Sequence, residues 1–298
     1  MANQIALDAA VAEVPQRVNE FKRFRRVFLG RGVVVFGMIV IVAFIILAIF
    51  APFIAPYDPF EPDLSHALNG PNTSHLLGTD ALGRDTLSRI IYGTRTSLMI
   101  GLIVVIIACS VGMTLGTLAG YYGGWTNTII MRVIDALMSF PMILLALVVA
   151  ALLGSGIKNV IIALGVAMMP GYARVMCGQV LAVKENDYVM AGRSVGASNR
   201  RIMLRHVVPN CIAPLLVMIT MMLGGVVLAE AGLSFLGIGI TPPTPSWGGM
   251  VNDGRQYLLT LPILSFAPGG ALMLLVFAFN MIGDGLRDAL DPRLRGAI

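Results

Sequence analysis

Long apolar stretches separated by short polar segments run through most of the chain. A helix needs about 20 apolar residues to cross a hydrocarbon core about 30 Å thick. Arg132, Asp135 and Arg174 flank or enter the third and fourth stretches, so the pattern defines their edges poorly. The pattern predicts an all-α integral membrane protein with six transmembrane helices. The stretches cover residues 33–55, 97–121, 136–153, 159–175, 212–229 and 262–282.

The first apolar stretch, 33–55, follows a basic N-tail, residues 1–32. A signal peptide has an apolar core of about 7–15 residues, and this stretch is longer. Several more apolar stretches follow it along the chain. We therefore expect an uncleaved first transmembrane helix that also serves as a signal anchor.

Four prolines fall inside or at the ends of the later stretches. They are Pro141, Pro170, Pro214 and Pro268. Proline removes a backbone donor, and membrane helix bundles tolerate this when neighbouring groups satisfy the freed carbonyl. Each proline is expected to kink or locally open its helix.

The composition excludes an ordinary soluble protein. Hydrophobic residues make up 57% of the chain, charged residues 12%, and the mean hydropathy is +0.83. The charged share is about half of that in a soluble domain. Cys109, Cys177 and Cys211 lie in or beside apolar stretches, and their spacing fits neither a disulfide framework nor a zinc site. We expect them to be small buried hydrophobic residues.

The basic residues are unevenly divided between alternate polar segments. If the N-terminus is cytoplasmic, sixteen of the 21 Lys and Arg residues lie in cytoplasmic segments. Cytoplasmic segments of membrane proteins are enriched in these residues, so both the N-tail and the C-tail, 285–298, are expected in the cytoplasm. The pI of about 9.4 does not indicate nucleic acid, because the basic residues are not gathered on one water-soluble module. The predicted surroundings are the lipid bilayer.

The longest external segment, residues 56–96, begins with closely spaced prolines and is expected to be extended there. Asp85 or Thr86 then caps a predicted short amphipathic helix. Its apolar residues include Leu87 and its polar side includes Arg89. Such a helix is expected to lie along the membrane face and to lead into the second transmembrane helix.

The sequence lacks the motifs of common enzymes. A phosphate-binding P-loop requires Gly before Lys, and none of Lys22, Lys158 and Lys184 follows a Gly. The three histidines include no His-Glu-x-x-His zinc pair, and no Gly-x-Ser-x-Gly nucleophile turn occurs. We expect no catalytic residue, no metal and no cofactor bound by this chain.

Few ionisable side chains enter the apolar stretches. Glu230, near the outer end of the fifth, is either a gate or pathway residue or an interfacial acid tied to a neighbouring helix. An ion-coupled secondary carrier needs such groups, in pairs or in a cavity. Asp135 and Asp284 lie near predicted cytoplasmic ends, where solvation or helix capping explains them. Met218 and Met222 are either adaptable pathway residues or ordinary packing residues.

Small residues recur at four-residue spacing in the second stretch. Gly112, Gly116 and Gly120 share one face of the predicted helix. A face of this kind lets a second helix approach closely, so we interpret it as a packing surface.

A polar segment interrupts the apolar pattern at residues 184–210, here called the polar loop. Asp187 is a predicted N-cap of a helix through Val195, Gly196 permits a turn, and Ser198 caps a second helix that Pro209 ends. The predicted result is a pair of short helices standing off the membrane. This basic surface suits either an acidic protein partner or anionic lipid headgroups, and these readings remain open. Its contact residues are Arg193, Arg200, Arg201 and Arg205, with Val189, Val195, Ile202 and Met203.

The polar loop resembles the signature of binding-protein-dependent ABC importer permeases. Ala191, Gly196 and Pro209 match its pattern, while Met190, Gly192, His206 and Val208 depart from it. Five other strings are similar to the dipeptide and oligopeptide permeases of the DppC/OppC type, from the first span to the C-terminus. They are LGTDALGRDTLSR (77–89), AGYYGG (119–124), LSFLGIG (233–239), PPTPSWGGM (242–250) and GDGLRDALDPRLRG (283–296).

This resemblance implies the type I ABC importer permease fold, with a five-helix core at 97–284. It implies a bacterial inner-membrane importer of di- or oligopeptides, with glutathione or nickel complexes as alternative cargo. Its partners are a homologous second permease (DppB/OppB-like), two ATPase subunits (DppD/DppF-like) that bind ATP and Mg, and an extracytoplasmic peptide-binding protein. ATPase coupling falls to Ala191, Gly192, Gly196, Arg200, His206 and Pro209. Contact with the binding protein, or the shape of the outer gate, falls to Asp80, Arg84, Asp85, Pro243 and Trp247.

Overall fold

The computed structural model describes residues 20–290, and the rest of the two predicted tails lies outside them. Every regular element in that range is helical. In chain order the helices are α1 (Glu20–Leu29), α2 (Gly32–Ile49), α3 (Ala51–Ile54), α4 (Thr86–Tyr122), α5 (Gly124–Met138), α6 (Met142–Leu153), α7 (Ile157–Val183), α8 (Asp187–Ser194), α9 (Asn199–Ile202), α10 (Val208–Phe235), α11 (Trp247–Gly254) and α12 (Ile263–Leu290).

Five helices are long and apolar enough to cross a membrane: α2, α4, α7, α10 and α12. Helices α5 and α6 meet the same criterion together, although they are bent by 89° at the residues between them. Counting this pair as one bent span confirms the six predicted transmembrane segments. The bend falls at Pro141, whereas Pro170, Pro214 and Pro268 lie inside helices that continue past them.

The second span is longer than predicted, because α4 runs without a break from Thr86 to Tyr122. Asp85 caps it by accepting a hydrogen bond from the Ser88 N–H at 2.8 Å, as the sequence indicates. The separate amphipathic helix along the membrane face is wrong. The polar side expected to face water is buried, since Ser88 and Arg89 both face protein. Satisfied polar contacts explain how a helix with this pattern is buried on both sides.

The glycine face of α4 packs directly on α7. A Cβ atom on Gly112 would lie 2.7 Å from the Met169 carbonyl oxygen, and one on Gly120 would lie 2.8 Å from the Val180 Cβ. Only glycine allows the two backbones to come this close, so the packing interpretation is confirmed. Residues of α4 and α7 on either side of this seam form much of the main buried core.

The remaining long helices close the bundle around this pair. Helix α12 packs between α10 and α2, and Arg31 at the start of α2 forms an ion pair with Asp288 near the end of α12. The two ends of the described chain therefore lie on the same side of the bundle, as an even number of spans requires. All three cysteines are free and buried, which confirms their predicted role as small core residues.

The seam between α4 and α7 makes Gly116→Ala a direct test. A Cβ at this position would lie 2.8 Å from the Met176 Cβ, against backbone that cannot move aside. We expect the overpacking to lower the free energy of unfolding by about 1–3 kcal/mol. Thermal melting of the purified protein in mild detergent measures it.

Gly178→Ala is the matched control. It lies on α7, and a Cβ there meets nothing within 4 Å. It should melt at or slightly above the temperature of the unmodified protein, since alanine is the better helix former. Equal melting temperatures for the two variants would contradict close packing at the seam.

Candidate functional site

The polar loop turns at a glycine that the backbone requires. Helix α8 ends just before Gly196, which has a φ of +79°. This left-handed conformation costs other L-residues roughly 1–2 kcal/mol. Ser198 then accepts a hydrogen bond from the Arg201 N–H and caps α9. The predicted bend and second cap are confirmed, whereas Asp187 is the first helical residue of α8 and not its N-cap.

The second helix of the loop does not end before Pro209. Helix α9 continues through a π-helical stretch, Met203–Val207, directly into α10. Pro209 lies in the first turn of α10, where its missing N–H is tolerated. The prediction that Pro209 stops the helix is therefore wrong, because the local π geometry carries the chain past it. The polar loop therefore consists of α8 and of a helical segment that continues into the transmembrane helix α10.

Apolar side chains of the polar loop pack into the main buried core of the helix bundle. Val189, Ile202 and Val207 are fully buried, in the same cluster as the residues of α4 and α7. The prediction that Val189 and Ile202 contact a partner is wrong, since neither reaches the surface. Burying branched aliphatic side chains contributes about 1.5–3 kcal/mol each, so the loop is held firmly in place.

Polar contacts join the loop to the end of α4. The Tyr121 hydroxyl donates to the Asn199 Oδ1 at 3.0 Å, and the Arg193 guanidinium lies 5.6 Å from the centroid of the Tyr121 ring. The Lys184 ammonium donates to the Gly120 carbonyl oxygen at 3.1 Å. These contacts place the loop against the last turn of the glycine-faced helix.

The outer surface of the loop combines positive charge with exposed apolar side chains. Val195 is 83% exposed, and Tyr188 and Met190 are also exposed. Arginine side chains surround them. The exposed arginines of this surface are Arg193, Arg200, Arg201 and Arg205. Of the six predicted coupling residues, Gly192 and His206 are half-buried and the other four are exposed. The surface suits an acidic partner that also offers an apolar pocket.

The opposite end of the bundle is closed by residues 55–85 and 236–262, here called the cap. A cluster of charges holds it together. The Arg84 side chain bonds Asp80 through Nε and Nη2, at 2.8 and 2.7 Å. Arg89 donates to the Pro59 carbonyl oxygen at 2.8 Å and lies 3.5 Å from the Asp80 carboxylate. Burial raises the pKa of the nearby Asp253 carboxyl, and the two arginines oppose this. The cluster borders a cavity of about 260 Å³.

Trp247, the first residue of α11, fixes the cap to α4. Its side chain is fully buried, and its indole N–H donates to the Ile90 carbonyl oxygen at 3.1 Å. Gly93 leaves the necessary space, since a Cβ there would lie 2.8 Å from the Trp247 ring. The Phe44 ring meets the indole edge-on at 5.7 Å. The contact between Phe44 and Trp247 therefore joins helix α2 to the cap.

Two family models match the chain. The binding-protein-dependent transport system inner membrane component matches residues 112–296, and the N-terminal TM domain of oligopeptide transport permease C matches residues 20–71. The chain belongs to the permeases of binding-protein-dependent ABC importers. Its family was thus correctly identified from the loop signature and the flanking strings.

Curated relatives align over most of this permease. It is 42% identical to the dipeptide transport system permease protein DppC of Alkalihalophilus pseudofirmus, covering 87% of this chain and 85% of the relative. It is 44% identical to the glutathione transport system permease protein GsiD of Escherichia coli O6:K15:H31, covering 98% and 97%. A solved chain of the MetNI methionine ABC transporter, in an inward-facing conformation, shares the fold. Its TM-score is 0.55 at 19% identity, over 68% of this chain and 96% of that one.

The predicted contact residues of the cap divide into two groups. Arg84, Asp85 and Trp247 are buried, so they cannot meet a docking protein in this conformation. Their burial favours the other predicted role, shaping the outer gate, and that role stays a prediction. Asp80 is largely occupied by the two arginines, whereas Pro243 is exposed. Burial follows from the long-range contacts of the cap, which the sequence does not reveal.

Glu230 lies inside the permease and not at its surface. Its Oε1 accepts a hydrogen bond from the Ser234 hydroxyl at 2.7 Å, within the same helix. Its Oε2 has no partner among the described residues. The predicted tie to a neighbouring helix is therefore wrong, since the Ser234 bond lies within one helix, whereas the role of Glu230 as a gate or pathway residue stays a prediction. Met218 and Met222 are half-buried and pack on the main core, which leaves both of their predicted roles open.

Sequence reasoning missed several residues of these sites. Tyr121 belongs to the string AGYYGG, which marked the family but gave no sign of contact with the polar loop. Asn199 and Asp253 lie in no motif. Each acts through a partner far away in the chain, 78 residues for Tyr121 and Asn199, and spacing does not report such distances.

Arg89→Lys tests the charge cluster of the cap. Lysine lacks the planar fork that reaches both the Pro59 carbonyl and the Asp80 carboxylate, so one buried group loses its bond. That loss costs about 1–3 kcal/mol. We expect limited proteolysis of the purified permease to cleave residues 55–85 roughly fivefold faster.

Arg95→Lys makes the same substitution at an exposed position of the same helix. Its cleavage rate should match that of the unmodified permease. Equal rates for both variants would show that Arg89 does not hold the cap.

Proposed function

We propose that this permease is a membrane-spanning subunit of an ATP-driven importer of short peptides in the bacterial inner membrane. It has no ATPase site of its own, and ATP and Mg bind to separate ATPase subunits. The absence of a Gly-Lys pair from the whole sequence supports this division. The observation with most weight is the firmly anchored, basic and partly apolar surface of the polar loop.

The polar loop has the properties of a mechanical coupling element. An ATPase subunit that grips its exposed arginines and Val195 moves a rigid unit, because Val189 and Ile202 hold the loop to the core. The motion passes into α10 through the continuous π-helical stretch. It also passes into α4 through the Tyr121 contacts. Displacement of α4 or α10 changes the helix packing next to the α4–α7 seam.

The complete importer contains partners besides the ATPases. A homologous second permease covers the helix faces that this chain leaves exposed in the bilayer. A peptide-binding protein delivers cargo to the cap, and the polar loop lies in the cytoplasm with both termini. The distribution of Lys and Arg and the shared side of the two described ends support this orientation.

The proposed cargo is a di- or oligopeptide. The curated relatives are named for dipeptide transport and for glutathione transport, and these names support the proposal of a peptide cargo. Glutathione is the second candidate. It is itself a tripeptide with free charged groups, and one pathway chemistry serves both.

Gly196→Val tests the coupling role. A β-branched residue is strained at a φ of +79°, so the turn and the loop surface should distort. We expect uptake to fall at least about tenfold, while the permease remains inserted and still associates with its second permease. Transport-coupled ATP hydrolysis and uptake in proteoliposomes of the complete importer measure this effect.

Gly196→Asn is the matched variant, because asparagine tolerates left-handed backbone better than other non-glycine residues. Its uptake should lie well above that of the valine variant. If valine supports full uptake, or if no ATPase co-purifies with the permease in mild detergent, the coupling proposal is wrong.

Uptake by a strain lacking this chain, with and without the restored gene, tests the cargo. Labelled dipeptide, oligopeptide, glutathione and nickel complex are supplied separately. We expect the deletion to abolish uptake of at least one peptide and restoration to return it. A deletion that changes only nickel uptake contradicts the peptide proposal, and unchanged uptake of all four contradicts import by this permease.

A further inference from the structure

An ion pair joins α5 and α7 on an open face of the bundle. The Arg174 guanidinium contacts the Asp135 carboxylate across 39 residues of sequence. The two side chains are 51% and 47% exposed in the isolated chain. Asp135 was expected to be solvated near a cytoplasmic end, but it lies within the bent span and faces α7. This pair has no part in the polar loop or the cap.

Arg174 lies near the middle of α7. Helix α7 has 27 residues, which corresponds to a length of about 40 Å at 1.5 Å per residue. Arg174 lies about 6 Å from the middle of that length. A hydrocarbon core about 30 Å thick and centred on α7 would extend about 15 Å to each side of that middle, so the backbone of Arg174 would fall within it.

Lipid is an unfavourable environment for an ion pair at this position. Charged side chains at this depth are costly and face a protein interior or a water-filled cavity. Two nearby positions of α7 carry glycine and have few neighbouring atoms. A Cβ on Gly178 meets nothing within 4 Å, and one on Gly171 meets only the Met218 methyl group, at 3.2 Å. The helix surface one turn before and one turn after Arg174 therefore carries glycine and no side chain.

The composition of this face suits a charged, variable cargo. Arg174 and Asp135 provide one charge of each sign, and Arg132 adds an exposed positive charge one turn before Asp135. Met218 adds a flexible thioether beside Gly171. A short peptide has an α-ammonium and an α-carboxylate and often a charged side chain. A carboxylate of the peptide can bond to Arg174 and an ammonium group can bond to Asp135, while the second residue of the pair stays nearby.

We propose that Arg174 and Asp135 line the water-filled translocation pathway and contact the charged groups of the passing peptide. Arg174 meets carboxylates, and Asp135 meets ammonium groups. The proposal rests on the proposed import of peptides, and it assigns to this subunit a pair of residues that discriminate cargo by charge.

Two opposite charge removals test this specificity. Arg174→Gln leaves Asp135 unpaired and should favour uptake of a lysine-containing dipeptide over a glutamate-containing one. Asp135→Asn should shift the same ratio the other way. We expect each shift to be roughly five- to tenfold relative to the unmodified permease. Uptake of both dipeptides by proteoliposomes of the complete importer gives the ratio.

A purely structural pair gives a different result. If it only joins α5 to α7, both variants lower the uptake of the two dipeptides equally, and the ratio stays constant. Lys158→Gln, an exposed cation at the other end of α7, is the control and should leave the ratio unchanged. Melting temperatures of the purified complexes separate misfolding from altered preference. A constant ratio in both variants overturns the inference.

Thiol labelling tests the pathway independently of selectivity. Gly178→Cys should react with a charged, membrane-impermeant thiol reagent, and saturating dipeptide during turnover should slow the reaction. Ile106→Cys, at an exposed apolar position within α4, should stay unlabelled. An unreactive Gly178→Cys places the pair in a dry interface and overturns the inference. Peptide uptake by the unmodified importer remains intact in that case, whereas failure of the proposed function removes this uptake as well.

Discussion

The close contact between α4 and α7 is the constraint on which the rest of the structure depends. Gly112, Gly116 and Gly120 bring the two backbones together along a single seam. In a bilayer the lipid is as apolar as the side chains, so close packing supplies much of the association between helices. The seam sets the register of α4 on α7. That register places the last turn of α4 beside the residues that begin the polar loop, where Lys184 bonds the Gly120 carbonyl.

One uninterrupted helix therefore connects the two functional ends of the permease. Helix α4 has 37 residues, a length of about 55 Å. Asp85, a residue of the cap, is the N-cap of its first turn, and Tyr121 contacts the polar loop at its other end. No break interrupts its hydrogen-bonded backbone between these two ends. The bent pair α5 and α6 is the opposite kind of element, since its backbone is interrupted beside Pro141.

Charged side chains differ in burial and in bonding partners between the cap, the middle of the bundle and the polar loop. Arg84 of the cap and Arg89 at the start of α4 are buried and are satisfied by carboxylate and carbonyl oxygens, which makes them structural. Arginines of the polar loop are exposed and available to a partner. Between these levels, Arg174 and Asp135 are paired but open on one side. Residue type alone does not distinguish these roles, because burial and the identity of the partner determine what each charge does.

Local physical chemistry determined much of this protein from the sequence alone. Hydropathy predicted the six spans, glycine spacing predicted the packing face of α4, and the loop signature identified the family and the turn at Gly196. These features depend on residues that are close together in the sequence within each stretch or string. Only the tertiary structure decided that Arg89 and Trp247 are buried, that the chain passes Pro209 as helix, and that Asp135 meets Arg174. Two of these outcomes, the burial of Arg89 and Trp247 and the ion pair, depend on contacts between distant segments, and the third on a local π-helical stretch. Neither kind of feature follows from periodicity and spacing.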